Sequence, residues 1–346
     1  MEKITYREYR DLLENPDTDD EIIESYSKVI KGDGAFEFIL RPNPDFVEMQ
    51  EHELELENAM SAANDIACWR RQQKFKKRVK KGENLPIIVS EGDSWFQFPL
   101  IIKDVVDQLK SDYLIYSVGA AGDTAQNMVF GPEGSKKTEY LLALRELRDA
   151  GHKVSGFMFS AAGNDIIGED PATGISALQG IVKDFNGDIN DITGHINFSE
   201  FIKRLNFLQT AYLKVISSIR SEPGLHHIPI FIHGYDYVFP YKWTGDKRNP
   251  FYAKKKEWLG EPLDARGIQD INLRRNIIKF LLDRLYEMLN DLALDSLQTK
   301  VWVVDCRNAM PDVSDWNDEI HGTNAGFKKV AKRFRTVMNA AITSTS

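Results

Sequence analysis

The sequence predicts an α/β fold: a doubly wound, flavodoxin-like parallel sheet of five strands, with a helical region ahead of it. Three observations predict it. From Pro86 onward, short apolar runs recur at residues 87–89, 113–116, 154–159, 228–232 and 301–304. These runs are continuous rather than alternating, so both faces of each strand are buried, as in a parallel sheet covered on both sides. Between the runs lie segments of helical periodicity. Phe201, Leu205, Leu208, Tyr212, Val215 and Ile219 share one face, and Ile278, Leu281, Leu285, Leu289 and Leu292 share another. Strands alternating with helices define the α/β class.

Residues 1–84 read as helical. Three capping-box signatures occur there, Thr5-x-x-Glu8, Thr18-x-x-Glu21 and Asp45-x-x-Glu48. The longest helix is predicted over residues 46–81, with Leu56, Met60, Ala63 and Ala67 as a narrow apolar stripe. Such a stripe packs either on the rest of the chain or on a partner. Lys81-Gly82-Glu83-Asn84-Leu85-Pro86 ends the region. The predicted division is therefore 1–84, a helical partner or assembly module, and 85–346, the sheet domain. Two long insertions, about 169–199 and 236–266, interrupt the sheet domain. Connections of that length usually carry function or a small subdomain.

With 346 residues, 42% hydrophobic and 28% charged, the chain can bury a sizeable core. A net charge of -8 argues against a nucleic-acid partner. The one basic run, residues 74–81, suits the C-terminal end of a helix. Two cysteines, Cys68 and Cys306, make no disulfide framework, which fits a cytoplasmic protein. The N-terminal residues have no signal-peptide core, and no stretch reaches the ~18 apolar residues of a membrane span.

In an open parallel sheet, ligands bind at the carboxyl ends of the strands. The first predicted strand is followed by Gly92-Asp93-Ser94, with Ser94 expected to open a helix. The second is followed by Gly119-Ala120-Ala121-Gly122-Asp123-Thr124, and the third by Gly163-Asn164-Asp165. After the fifth comes Asp318-Glu319-Ile320-His321. Each motif alone reads as a turn. Together, on one sheet edge, they suit acyl transfer. A serine hydroxyl needs a base to remove its proton, and His321 is that base. Asp318 orients the imidazole. The backbone N–H groups of Ser94 and Gly122 and the Asn164 amide supply donors for an oxyanion.

These residues resemble the conserved blocks of the SGNH, or GDSL-type, hydrolases. Glu91-Gly92-Asp93-Ser94-Trp95 is similar to the first block, Ala121-Gly122-Asp123-Thr124 to the second and Ala162-Gly163-Asn164-Asp165 to the third. The segment from Asp318 to Gly326 is similar to the last. The resemblance spans about residues 87–338. It implies the SGNH hydrolase fold and esterase, lipase, thioesterase or carbohydrate-deacetylase activity, with Ser94, Asp318 and His321 catalytic and no metal or cofactor. Trp95 replaces the family's leucine after the serine, and Gly322 stands where a proline commonly follows the histidine. Neither change removes a catalytic atom.

Trp95, Phe96 and Phe98 read as helix packing or as an apolar acyl pocket. His233-Gly234-Tyr235-Asp236 lies at the fourth strand's carboxyl end, which makes His233 and Tyr235 candidate substrate contacts. Of His226, His227 and His233, the last two bracket the fourth strand, one at each end, too far apart to share a metal. The aromatics Tyr237, Phe239, Tyr241, Trp243, Phe251, Tyr252 and Trp258 suit a lid, a binding wall or a locally packed loop. A metallophosphoesterase would need more metal ligands than the motifs supply. The reading of a different class is a partner-recruited effector or interaction protein, in which the N-terminal helices bind another protein; residues 1–84 are also a candidate surface for a homo-oligomer.

Overall fold

The computed structural model describes residues 1–31, 38–49, 63–98, 100, 102–131, 138–170, 173–250 and 252–345. Four short strands come first: β1 (Ile4–Thr5), β2 (Ser27–Lys31), β3 (Phe38–Pro42) and β4 (Val47–Glu48). β1 pairs in parallel with β4, and β2 pairs antiparallel with β3. Five strands then build the centre of the molecule: β5 (Ile87–Gly92), β6 (Leu114–Ser117), β7 (Val154–Ser160), β8 (Ile230–His233) and β9 (Val301–Val304). They form one all-parallel sheet in the order β6-β5-β7-β8-β9. The five predicted runs are these five strands, with ends that move by a few residues.

The order explains where a site can form. From β5 the chain crosses to β6 on one side, then returns to β7 on the other. Crossovers leaving in opposite directions open a crevice at the carboxyl ends of β5 and β7. The Gly-Asp-Ser and Gly-Asn-Asp motifs follow those two strands.

The N-terminal region departs from the helical expectation. Helices Tyr6–Glu14 and Asp20–Tyr26 lie between β1 and β2, and helix Ala63–Lys80 follows β4. The first capping box forms as predicted: Glu8 N–H donates to Thr5 Oγ1 and Thr5 N–H to Glu8 Oε2. The second helix begins one residue later than its signature, with Asp19 as N-cap. The third signature starts no helix, because Val47 is buried against Tyr6 and Tyr9 and β4 pairs with β1. Tertiary pairing overrides the local pattern there. Of the predicted 46–81 helix, residues 63–80 are helical, and residues 50–62, Leu56 and Met60 among them, lie outside the described residues.

The Ala63–Lys80 helix packs on β6. Two adjacent arginines tie it in opposite directions. Arg70, 1% exposed, donates to the carbonyls of Leu12, Leu13, Asn15 and Thr18. Arg71 donates to Phe96 O and Gln97 Oε1 and pairs with Asp104 and Asp107 at 2.5 and 2.7 Å. In the basic run, Lys74 pairs with Asp20, Lys77 with Asp17 and Arg78 with Glu83. No helix among the described residues is long and apolar enough to cross a membrane. Cys68 and Cys306 are both free thiols, and Cys306 is fully buried.

Candidate active site

Ser94 lies in a turn after β5, closed by bonds from Phe96 N–H and Gln97 N–H to Asp93 O, each 2.9 Å. The predicted helix does not follow. Phe98 N–H is taken instead by the Asp104 carboxylate at 2.7 Å, so the turn ends after one revolution. Asp93, itself buried, accepts from Trp95 N–H at 3.1 Å, Ser160 Oγ at 2.8 Å and the Tyr235 hydroxyl.

His321 Nε2 is 2.7 Å from Ser94 Oγ, and His321 Nδ1 is 2.8 Å from Asp318 Oδ2. His321 and Asp318 are buried and Ser94 is 3% exposed. Asp318 Oδ1 accepts from the backbone N–H groups of Ile320 and His321 at 2.8 and 2.7 Å, which turns the segment so that carboxylate and ring meet. Oδ2 also accepts from the Tyr252 hydroxyl at 2.5 Å. Burial raises the Asp318 pKa, but the neighbouring His321 and these donors outweigh it, and the carboxyl is held below its usual range. An ionised Asp318 accepts the proton on Nδ1, which leaves Nε2 as the acceptor for the serine hydroxyl. Phe98 and Trp258 stand edge-on to the imidazole, with ring centroids 4.8 and 5.5 Å away.

The three predicted oxyanion donors stand differently from one another. Among the described residues, the backbone N–H groups of Ser94 and Gly122 meet no acceptor. Gly122 has φ +86°, a left-handed conformation that suits glycine. The preceding Ala121 is held by Asn64, whose side chain donates to its carbonyl and accepts from its N–H, both at 3.0 Å. Asn164 Nδ2 donates to Asp123 O at 2.7 Å. An amide nitrogen carries two protons, so one remains. Asn164 lines two spaces. With Ser94 it borders an apolar cavity of ≈ 110 Å³, and with Gly122 it borders a larger cleft of ≈ 970 Å³.

The predicted substrate contacts separate. Trp95 borders the apolar cavity, with its indole N–H on Ile320 O at 2.9 Å. Tyr235 borders it too, but its hydroxyl is engaged twice, accepting from Gly163 N–H at 2.9 Å and donating to Asp93. Tyr235 thereby ties the serine motif to the asparagine motif, and it does so at φ +69°. His233 does not border the cavity. It is fully buried, stacks with Trp95 and Phe96, and bonds Ser160 Oγ at 2.8 Å. Burial pushes its pKa down to about 3. Phe96 and Phe98 do not border the cavity.

Sequence reading missed what holds His321 in place. Glu319 accepts four backbone bonds from the aromatic insertion: Tyr241 at 2.6 Å, Trp258 at 3.0 Å, Leu259 at 2.9 Å and Gly260 at 2.9 Å. Arg248 donates to Asp318 O at 2.8 Å. The insertion is thus folded onto the histidine loop, with Tyr252 and Trp258 buried. Phe251 lies outside the described residues. Local sequence carries no sign that Glu319 caps a segment about 60 residues earlier.

No protein-family profile and no curated protein matches the chain. Solved structures with some likeness include a provisionally named platelet activating factor from Streptococcus pneumonia (13% identity, TM-score 0.38, 84% of this chain and 100% of that one). A provisionally named arylesterase from Agrobacterium tumefaciens has 12% identity and a TM-score of 0.34, over 73% of this chain and 100% of that one. A peptidoglycan O-acetylesterase has 13% identity and a TM-score of 0.30, over 66% of this chain and 47% of that one.

Proposed function

We propose that the protein is a serine hydrolase of carboxylic esters, with Ser94 as nucleophile, His321 as base and Asp318 as the group that orients the base. The observation that carries this is the continuous hydrogen-bonded chain from Ser94 Oγ through His321 to Asp318, at 2.7 and 2.8 Å. In the first half-reaction Ser94 Oγ attacks the ester carbonyl while its proton passes to His321 Nε2. The carbonyl oxygen becomes an oxyanion, stabilised by the N–H groups of Ser94 and Gly122 and by the Asn164 amide. The C–O bond to the alcohol breaks, and His321 returns the proton to the departing alkoxide. Water then attacks the acyl-enzyme with His321 again as base, and Ser94 is regenerated with release of the carboxylic acid.

A fluorophosphonate probe tests the assignment, since it phosphonylates only an activated serine. Labelling is expected at Ser94 and to be abolished in Ser94→Ala. Labelling of another serine, with Ser94 unmodified, would overturn the reading.

A further inference from the structure

The cavity beside Ser94 is walled mainly by aliphatic side chains, with Asp93, Ser94, Asn164 and Asp236 among its polar lining residues. Neither carboxylate there is free to bind a charged ligand. Asp93 is occupied by Trp95, Ser160 and Tyr235, and Asp236 by the backbone N–H groups of Tyr237, Asn308 and Met310. Helix Phe198–Arg220 presents Leu205 and Leu208 on one side. Helix Ile271–Leu292 presents Ile278, Leu281 and Leu285 on the other.

The two helices pack together, yet these side chains leave a slot of ≈ 110 Å³ instead of interdigitating. An unfilled apolar space costs stability, because its walls lose contacts that a filled core would make. Leu205 and Leu282 at its border are only partly buried, so the slot is not sealed in the core. An apolar slot bordered by Ser94 fits an aliphatic chain whose carbonyl carbon meets the serine.

We infer that this slot is the acyl-binding site and that the substrate is an ester of an aliphatic acid longer than acetate. The inference rests on Ser94 being the acyl acceptor. An acetyl group leaves the leucine walls bare, whereas each added methylene is drawn out of water against them. Burial of a methylene corresponds to about a fourfold gain in kcat/KM, provided the contact persists in the transition state.

The test is kcat/KM for p-nitrophenyl acetate, butyrate, hexanoate and octanoate on the full-length protein. The value should rise from acetate to hexanoate by about 250-fold, four methylenes at about fourfold each. A flat profile, or acetate as the best substrate, overturns the inference and needs no variant to fold. Leu208→Trp and Leu281→Trp then obstruct the slot from opposite walls. The octanoate-to-acetate ratio within each variant cancels the active fraction and should fall at least about tenfold, the lower end of what shape changes in apolar pockets produce. An unchanged ratio in either variant overturns the placement. Ser94→Ala separates the two levels. If it hydrolyses the series like wild type, the serine-hydrolase reading fails. If activity needs Ser94 but ignores chain length, the acyl-slot inference alone fails.

Discussion

The Asp318 carboxylate does two jobs with two oxygens. Oδ1 shapes the backbone of its own loop, while Oδ2 receives the imidazole proton. In Asp318→Asn one oxygen can still accept, but the other position becomes an N–H₂ that faces the ring and favours the wrong tautomer. A fall in kcat of about 10²–10⁴ with KM little changed is expected, smaller than the loss in His321→Ala. Steady-state kinetics on both variants check it, and equal inactivation would contradict a supporting role for Asp318. Asp93 makes a second prediction. Burial pushes it up to about 6, against the Tyr235, Trp95 and Ser160 bonds that pull it down. The folded protein then holds this proton more tightly than the unfolded chain, where an aspartic acid titrates near 3.9. Its stability contribution is full below about pH 4 and is lost as pH rises through about 6. Thermal melting of wild type relative to Asp93→Asn, whose side chain stays neutral, should show that difference falling across pH 4 to 7. A difference that grows with pH would contradict the assignment.

At the scale of elements, legibility followed the source of each element's stability. The central strands are apolar on both faces, so their runs stand out in the sequence, and the order of motifs along them placed Ser94, Asn164, Asp318 and His321 on one edge. The N-terminal strands are two to five residues long and exist through pairing with distant segments. A capping signature such as Asp45-x-x-Glu48 carries no trace of that pairing. The walls of the slot were legible only as core. Leu205 and Leu281 lie on helical faces whose periodicity announces burial, but periodicity does not tell whether two such faces meet or leave room between them. His233 ends β8 yet stands apart from the cavity, since the end of a strand can point into the protein as well as into the crevice.

For the whole molecule, the proposed boundary at residue 84 has consequences. The Ala63–Lys80 helix lies before it and covers β6, with Phe75 edge-on to Tyr116 at 5.3 Å. A chain starting at Asn84 loses Arg71 and leaves Asp104 buried without its cation, a loss of about 3–5 kcal/mol when one partner of such a pair is removed. It also loses Asn64, which holds the loop of Gly122. That truncated chain is expected to aggregate or to lack a cooperative melt, as circular dichroism and size-exclusion chromatography would show. A soluble, folded product that hydrolyses esters would mean that residues 1–84 are dispensable for the chemistry.

The two thiols offer a view of the same molecule in motion. Burial pushes the Cys68 thiol up to about 11 and that of Cys306 well above the usual range, so neither supplies appreciable thiolate at neutral pH. An alkylating reagent therefore reaches Cys306 chiefly when the surrounding core opens. The rate of its alkylation becomes a clock for global unfolding in native buffer. An ester analogue lodged beside Ser94 should slow that clock without touching either sulfur, so occupancy of the site becomes readable from a distance.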